Sequence, residues 1–313
     1  MKRFALAGAV LMLAPWAVAE EAGFGPEAAA RSVVIRAQSL IDGVSGAPRS
    51  HVDILIRGNR IVEFAPVIDG PIEARKAARE QLDHGADLIK VYMTHRSWLD
   101  AQGNLISQPT LTLEELKAIV EETHGWGKKV ACHAYNGQGL QRALDGGCDS
   151  IEHGLEISDA QIAQMVKQGT WYVPTLQVYY TDWDPENTDS GKRDRKRVAV
   201  HGVSFTKALR AGVKIAFGTD VGGFAWSQPI AAEFAREIEF GMTPMQAIQS
   251  ATSRAAELLG QQGALGVVAP GAFADLIAVA GNPLADVNVL KSVQFVMKDG
   301  AVFKSPANAA PAP

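Results

Sequence analysis

The sequence predicts an α/β fold: an incomplete (β/α)8 TIM-like barrel of about five strands, with a small β-sandwich formed by both flanks. Three observations lead to this prediction. Helix-like and strand-like patterns alternate through the middle of the chain, as is typical of parallel βαβ units. Polar residues close several of the predicted strands. Positions 71–260 supply about 190 residues, whereas a complete eight-stranded barrel takes about 250.

The middle of the chain contains seven helix patterns and five strand patterns. Helices are predicted at about 71–84, 112–126, 137–146, 158–168, 192–211, 228–240 and 244–260, and strands at 86–92, 128–133, 148–153, 170–175 and 213–218. Thr112 precedes the second helix as an N-cap, with an acidic residue three positions later. Each strand follows a helix, so we expect the five strands to run parallel in one sheet.

The shortfall in length falls at the start of the predicted barrel. At about 30 residues per βαβ unit, the segment 69–260 is short by about two or three units. The strand pattern at 60–67 continues directly into the helix at 71–84, with no strand or polar strand end between them. The sequence therefore predicts a partial barrel over 69–260.

Both flanks of this segment have strand patterns. Residues 32–64 alternate apolar and polar positions around a Gly58-Asn59 turn, and residues 264–304 do so around Asp299-Gly300. We expect 20–68 and 261–304 to form one β-sandwich, followed by a disordered tail at 305–313 that is rich in Ala and Pro.

The first 19 residues have the pattern of a signal peptide. Lys2 and Arg3 precede a short apolar run, and Ala17-Val18-Ala19 is a small-x-small cleavage site. We expect cleavage near Ala19-Glu20 and a periplasmic or secreted protein. The apolar run is too short for a stable membrane span. The net charge of −4 offers no electrostatic basis for binding nucleic acid.

The two cysteines are expected to be free thiols. Cys132 stands near the end of one predicted strand and Cys148 at the start of the next. The two ends of neighbouring parallel strands lie further apart than the roughly 7 Å between Cα atoms that a disulfide tolerates. Alternation along the strand directs the Cys132 side chain away from that of the neighbouring His133.

Four polar residues stand at or near the ends of predicted strands: Lys90, His133, His153 and Asp220. The carboxyl ends of barrel strands form the catalytic rim. Two histidines and an oxygen donor can hold zinc with one position open for water. A lysine inside an apolar strand has a lowered pKa, and its neutral amine can react with carbon dioxide to form an anionic carbamate.

Each of these residues also has a structural interpretation. Lys90 can extend its amine to solvent past an apolar surface, and Asp220 can cap a helix or close a turn. An aspartate at a metal centre can instead move a proton from water to the leaving group. The occurrence of all four on one rim favours the catalytic interpretation for Asp220.

Three further residues are candidates for substrate binding. Arg96 follows the Lys90 strand and could bind a carboxylate through two hydrogen bonds, with His95 beside it, and Tyr135 could polarise a carbonyl. Arg96 could equally be a solvated charge in a loop, and Tyr135 could be a residue that only packs against its neighbours. The charged run at 192–197 is interpreted as a solvated helix face, and His201 as a helix residue with no ligand role.

The motifs GADLIKVY, HAYN, DSIEHG and AFGTD carry these residues in order. In their order and spacing, they resemble the amidohydrolase superfamily, over residues 32–304. The resemblance is to prolidase-like and imidazolonepropionase-like members that hydrolyse N-acyl amino acids and dipeptides, including relatives that cleave ochratoxin-type amides. It implies a metal-dependent hydrolase that releases a C-terminal amino acid through zinc-activated water.

The resemblance also assigns roles to the strand-end residues. It implies that the five strands correspond to barrel strands four to eight, and that strands one to three, with their His-x-His pair, are missing. Lys90, as a carbamate, His133, His153 and Asp220 would be the metal ligands, and one zinc ion is expected rather than two. The alternative is a non-catalytic deletion form, or one that assembles with another chain or a second copy, since missing strands leave open sheet edges.

Overall fold

The computed structural model describes residues 68–180 and 184–306 in full. It also describes the backbone of three flanking strands, β1 (Ser32–Leu40), β2 (Arg49–Arg57) and β3 (Arg60–Pro66). The predicted signal peptide, the Gly58-Asn59 turn and the tail from residue 307 lie outside the described residues.

Five parallel strands form the central sheet. They are β4 (Leu88–Tyr92), β7 (Lys129–Asn136), β8 (Ser150–Glu156), β9 (Trp171–Val173) and β10 (Lys214–Ile215). Their order in the sheet is β10-β9-β8-β7-β4, and every pairing is parallel. The number and direction of these strands confirm the prediction, and successive strands are neighbours, as in a segment of an α/β barrel.

Eight helices surround the sheet in the described part of the chain. They are α1 (Pro71–Asp83), α2 (Leu113–Gly125), α3 (Gly137–Gly146), α4 (Asp159–Gln168), α5 (Asp189–Ala211), α6 (Ala232–Glu239), α7 (Pro244–Ala251) and α8 (Ser253–Leu258). Capping boxes begin α2, α4 and α7, at Thr112, Ser158 and Thr243. None of the described helices combines the length and apolar character needed to cross a membrane.

One predicted helix is wrong in its extent. The pattern at 244–260 predicts a single helix, whereas the structure divides it into α7 and α8 at Thr252. The backbone of Thr252 has φ −121° and ψ −97°, which is outside the helical region. Its N–H donates to the carbonyl of Gln249 rather than to that of residue 248. The apolar periodicity of the sequence continues across Thr252, so the sequence pattern alone does not predict the break.

The hydrophobic core lies between the sheet and the helices. Alternate strand residues, such as Ile89, Val130 and Ile151, are buried on the helix-facing side. Because side chains alternate along a strand, the intervening residues face the opposite side of the sheet. Lys90 and His133 are among them, so two of the predicted site residues share this second face.

A β-hairpin follows β4 and was not predicted. It pairs β5 (Thr94–Leu99) with β6 (Leu105–Pro109). Its turn is organised by Asp100, whose carboxylate accepts the N–H groups of Gln102 and Asn104. The hairpin has a mixed burial pattern rather than strict alternation, so it has no clear strand signature.

The flanking segments form two three-stranded antiparallel sheets. β1, β2 and β3 make one, and β11 (Leu276–Val279), β12 (Val293–Lys298) and β13 (Ala301–Lys304) make the other. The predicted Asp299-Gly300 turn joins β12 to β13, with both residues at positive φ. The union of the two flanks into one sandwich stays a prediction.

The prediction of free thiols is wrong, because Cys132 and Cys148 form a disulfide with a Cα–Cα distance of 6.1 Å. The prediction placed Cys148 at the start of the strand that corresponds to β8. Its N–H instead donates to the carbonyl of Ala143 in α3, so this residue still belongs to the end of the helix. Cys132 faces the same helix layer, as predicted from strand alternation, and the two sulfur atoms meet between sheet and helices.

Candidate active site

The carboxyl ends of β7 and β8 bring the two predicted histidines together. In the sheet, Tyr92 lies opposite His133, and Ala134 lies opposite His153. The His133 and His153 rings are 4.4 Å apart between centroids. Lys90 lies opposite Ala131, two residues below His133 along the strand direction. The prediction that parallel strands place these residues at one rim agrees with the geometry.

His133 is a buried, neutral imidazole without a partner for one ring nitrogen. Its Nε2 atom is inaccessible and makes no hydrogen bond within the described residues. Tyr92 and Tyr135 flank the ring, each with a centroid distance of 4.5 Å. Burial, with positive charge on Lys90 and on nearby groups, lowers the pKa of His133 to about 3. A neutral ring with a free nitrogen is the form of histidine that binds metal.

His153 is held by a residue of the next strand segment. Its Nδ1 atom lies 2.7 Å from the hydroxyl Oγ1 of Thr175, which follows β9. Burial lowers the pKa of His153 well below its usual value, and the positive charges of Lys90 and Arg197 act in the same direction. A neutral His153 that donates from Nδ1 to this hydroxyl keeps Nε2 free to accept or to ligate.

Lys90 and Asp220 are close enough to influence each other's charge. Burial lowers the pKa of Lys90, while Glu152 and Asp220 act against this shift. Burial raises the pKa of Asp220, Lys90 lowers it, and Glu152 raises it. Glu152 lies next to His133 in the sheet register and was not predicted as a site residue. Glu152 is recognised as part of the site only from the strand pairing, which places it beside His133.

The backbone at this rim is unusual. His153, Thr175 and Asp220 adopt positive φ angles of 73°, 52° and 53°. Each such non-glycine residue costs about 1–2 kcal/mol relative to ordinary backbone. Among the described residues, the only other non-glycine with positive φ is Asp299, in the β12–β13 turn. Backbone strain concentrated at one rim indicates a functional site.

Arg197 is a site residue that the sequence did not identify. Its guanidinium lies 5.5 Å from the Tyr135 ring centroid, its Nε donates to the Ser97 hydroxyl, and it pairs with Asp194. Its side chain is only 18% exposed. The interpretation of 192–197 as a solvated face is therefore wrong for Arg197, because α5 runs past the β5–β6 hairpin and directs this residue inward.

The other predicted substrate residues differ in position. Tyr135 lies between His133 and Tyr179, and its hydroxyl forms a hydrogen bond with that of Tyr179. His95 and Arg96 are exposed on β5. His95 is close enough for its charge to lower the pKa of His133, whereas no contact joins Arg96 to the cluster.

A third buried histidine, His201, lies next to this cluster. His201 of α5 is 1% exposed, with its ring centroid 5.2 Å from that of Tyr179. The carbonyls of His153 and Pro174 face the ring, and burial lowers the pKa of His201 to about 3. Neither ring nitrogen makes a hydrogen bond of normal geometry to a described residue.

The side chains that could bind a metal ion at this rim are few. Within residues 68–180 and 184–306, no three His, Cys, Asp or Glu side chains are grouped so that they could hold a metal ion. Two imidazoles are in contact, and Lys90 and Glu152 are the polar residues beside them on the neighbouring strand positions. The unpartnered Nε2 of His133 fits a ligand role, and a third donor from Lys90 would have to be anionic.

Neutral histidines, a partly buried lysine and an aspartate thus converge at the carboxyl rim of a parallel sheet, which is where α/β-barrel enzymes carry their catalytic residues. The chain belongs to the amidohydrolase family, whose sequence profile matches residues 12–303. The similarity predicted from the four motifs is thereby confirmed.

Similar proteins agree with this assignment. The ochratoxinase of Aspergillus niger is 34% identical over 256 residues, which cover 77% of this chain and 51% of that protein. Its crystal structure matches with a TM-score of 0.66, covering 77% of this chain and 56% of that one. The imidazolonepropionase of Nocardia farcinica is 28% identical over 200 residues, 62% of this chain and 46% of that protein.

A solved Xaa-Pro dipeptidase with methionine bound in its active site is 37% identical, with a TM-score of 0.66. The match covers 76% of this chain and 60% of that one. The chain thus spans about half the length of the ochratoxinase that it matches. These matches support the membership of the chain in the amidohydrolase family.

Proposed function

We propose that the chain is a metal-dependent hydrolase of amide bonds in small substrates, acting on N-acyl amino acids or dipeptides and releasing the C-terminal amino acid. The observation that carries this proposal is the contact between two buried, neutral imidazoles, His133 and His153, beside Lys90 and Asp220. The similarity to an ochratoxinase and an Xaa-Pro dipeptidase supports it, and ochratoxin-type amides are included in the proposed substrate class.

The residues available for a metal are those that the sequence predicts. His133 and His153 would supply ring nitrogens and Lys90 a carbamate oxygen. The Asp220 carboxylate would have to move closer to join them, since it is not grouped with both histidines in the described part of the chain. The lowered pKa of Lys90 favours the neutral amine, which is the form that can bond to carbon dioxide and release a proton. A divalent ion held there, zinc in our proposal, would supply Lewis-acid chemistry to the amide carbonyl and to water.

Asp220 is proposed as the proton carrier. As a carboxylate it can take a proton from the attacking water, and as a carboxylic acid it can give that proton to the leaving nitrogen. Burial raises the pKa of Asp220 while Lys90 opposes the shift, and a raised pKa allows the group to hold the proton between the two steps.

Arg197 and Tyr135 are proposed to orient the substrate. Arg197 offers a guanidinium beside the Tyr135 ring, close enough to the histidines for its charge to lower their pKa values. A guanidinium binds a carboxylate through two hydrogen bonds. We propose that it binds the free carboxylate of the C-terminal amino acid, a role for which the sequence offers Arg96 as one candidate.

The compartment is proposed to be extracellular or periplasmic, following the predicted signal peptide. The disulfide between Cys132 and Cys148 supports this proposal, because disulfides persist in oxidising compartments.

The rival proposal is a form that is inactive alone or needs another chain. Within the described strands, β4 is an edge strand of the central sheet, and the chain covers about half of the related ochratoxinase. Both observations favour a site that lacks some of its surroundings. An exposed edge strand can pair with another chain or a second copy.

The test combines metal analysis with turnover of paired substrates. Metal content is measured by mass spectrometry, and release of the amino acid is followed for N-acyl amino acids with a free carboxylate and for their carboxamides. We expect one zinc ion per chain and turnover of the free acids only. Two zinc ions per chain would contradict the loss of the first metal site. Absent turnover with almost no metal would favour the rival.

Two variants assign the roles. Lys90→Ala should abolish stoichiometric zinc binding, and unchanged zinc affinity would contradict the carbamate. Arg197→Lys keeps the charge but loses the paired donors, so we expect a raised KM for free-acid substrates. Arg96→Lys is the matched control because Arg96 is exposed and outside the cluster. Equal effects of the two changes would contradict the role of Arg197.

A further inference from the structure

Helix α6 carries a glutamate whose burial the site described above does not explain. Glu233 is 0% exposed, as is Glu237 one turn later. Burying a carboxyl group is costly unless its oxygens find partners. The partners of Glu233 lie in the segment that leads from β9 into the site.

The two carboxyl oxygens of Glu233 each accept one backbone N–H group. Oε1 accepts from Leu176 at 2.7 Å, and Oε2 accepts from Gln177 at 2.6 Å. Burial raises the pKa of Glu233 to about 8, and the two N–H groups act against this shift. Both oxygens serve as acceptors, an arrangement that the ionised form satisfies without placing a carboxyl proton near either N–H group.

These two amides directly follow Thr175. That residue has φ of 52°, a conformation that a β-branched residue adopts only when its surroundings enforce it. Its hydroxyl is 2.7 Å from Nδ1 of His153. A continuous series of contacts therefore leads from Glu233 through the backbone of 175–177 to the ring of His153.

Glu237 provides a contrast on the same helix. Its Oε2 lies 2.7 Å from the Ser250 hydroxyl, which also lies 2.7 Å from the carbonyl of Ala247. A hydroxyl has one proton to donate. If it goes to the Ala247 carbonyl, Glu237 is the donor and is neutral, in agreement with a pKa raised well above its usual value by burial. The other oxygen of Glu237, Oε1, has no hydrogen-bond partner among the described residues, so Glu237 makes no hydrogen bond to residue 176 or 177.

We propose that Glu233 is a positioning residue for His153. By accepting the amides of Leu176 and Gln177, it holds Thr175 in its left-handed conformation, which places the Thr175 hydroxyl 2.7 Å from Nδ1 of His153. We infer that the hydroxyl accepts the Nδ1 proton in this contact. This leaves Nε2 of His153 unprotonated. The consequence for metal binding rests on the proposed function, whereas the consequence for the His153 tautomer does not.

The experiment compares Glu233→Gln with Glu237→Gln. Glutamine at position 233 keeps the shape of the side chain, but its NH2 group would face one of the two backbone N–H groups that the carboxylate accepts. Glutamine at 237 replaces a buried acid whose side chain is hydrogen-bonded to Ser250 and not to the backbone of residues 176–177. Long-range proton–nitrogen NMR of the metal-free protein reports the tautomer of His153, assigned by comparison with His153→Gln. Zinc alone is then titrated into each variant.

We expect a single Nδ1-protonated tautomer in the unmodified protein and in Glu237→Gln, and a mixture in Glu233→Gln. Zinc affinity should fall by about 10–100-fold in Glu233→Gln only, the range found when groups supporting a ligand are lost. A folded Glu233→Gln protein with an unchanged tautomer would overturn the proposal. So would an equal loss in Glu237→Gln, since that indicates general loosening of α6.

Thr175→Val serves if Glu233→Gln does not fold. It removes the hydroxyl at the end of the same series and keeps the β-branched shape, so the same mixture of tautomers is expected. An unchanged tautomer in Thr175→Val would overturn the proposal. If the unmodified protein binds no zinc and hydrolyses nothing, the proposed function fails, and the NMR comparison still decides the role of Glu233.

Discussion

The two ends of the central parallel sheet differ in how they treat polar groups. At the amino ends of the strands, the Asp149 carboxylate accepts the Val130 N–H at 2.8 Å and lies 2.8 Å from Nε2 of His124. At the carboxyl ends, Nε2 of the buried His133 has no hydrogen-bond partner among the described residues, and His153 has a positive φ.

The difference separates stability from function. A paired polar group and an ordinary backbone lower the free energy of the folded chain, and helix caps add to this. Strained backbone and unpaired buried nitrogen raise it, and they persist only where the surrounding structure enforces them. In α/β barrels the amino end serves stability and the carboxyl end serves chemistry. Changes at the two ends should therefore affect different measurements.

The largest effect is expected for Asp220→Asn at the carboxyl rim. Asparagine tolerates the positive φ of this position but cannot carry a proton, so kcat should fall by about 10²–10⁴-fold. Kinetics with an N-acyl amino acid and urea unfolding provide the two measurements. A loss of unfolding free energy as large as the loss in catalysis would break the separation between the two ends.

The next effect concerns the disulfide between sheet and helices. Cys132 and Cys148 are separated by 16 residues, and cross-linking a loop of this size stabilises a protein by about 3 kcal/mol. Urea unfolding with and without dithiothreitol should differ by this amount. An unchanged unfolding free energy, with free thiols verified by alkylation, would contradict the contribution of the bond.

A pH effect is expected from His201 behind the rim. Its pKa is lowered to about 3 in the folded protein, against about 6.5 in the unfolded chain. Between these values the unfolded state binds more protons, so stability is complete above about pH 6.5 and is lost as the pH falls. His201→Gln should lessen the loss between pH 7 and 5 by about 2 kcal/mol. If the unmodified protein and His201→Gln lose unfolding free energy equally as the pH falls, His201 is not a source of the pH dependence.

The smallest effect is expected at the start of α2, where a helix cap contributes to stability. Thr112 accepts the Glu115 N–H and forms a capping box, so Thr112→Ala should cost about 1 kcal/mol of unfolding free energy. Thr112→Ser keeps the hydroxyl and is the control. We expect unchanged kcat in both variants, and a fall in kcat would show that this helix start also supports the site.

Much of the fold was accessible from local patterns. The capping sequence at Thr112, the helix at 137–146 and the five strands all follow from periodicity and turn residues over short windows, and the structure confirms them. The co-location of His133 and His153 also followed, because parallel strands bring their carboxyl ends to one edge.

The remaining features depend on contacts between distant segments. Arg197 has the composition of a surface helix, and only the packing of α5 against the hairpin turns it towards Tyr135. The disulfide depends on Cys148 lying in the helix layer rather than on the line of β8. Glu233 resembles any helix glutamate until Leu176 and Gln177 meet it.

Short-range order and the identity of the rim residues were thus readable in the chain, since both follow from residue spacing. The direction of each charged side chain and the protonation of each buried group were decided by the tertiary structure. The physical reason is that burial and electrostatic interaction depend on neighbours that are remote in sequence: Lys90 and Asp220, 130 positions apart, shift each other's pKa only because the sheet brings them to one rim.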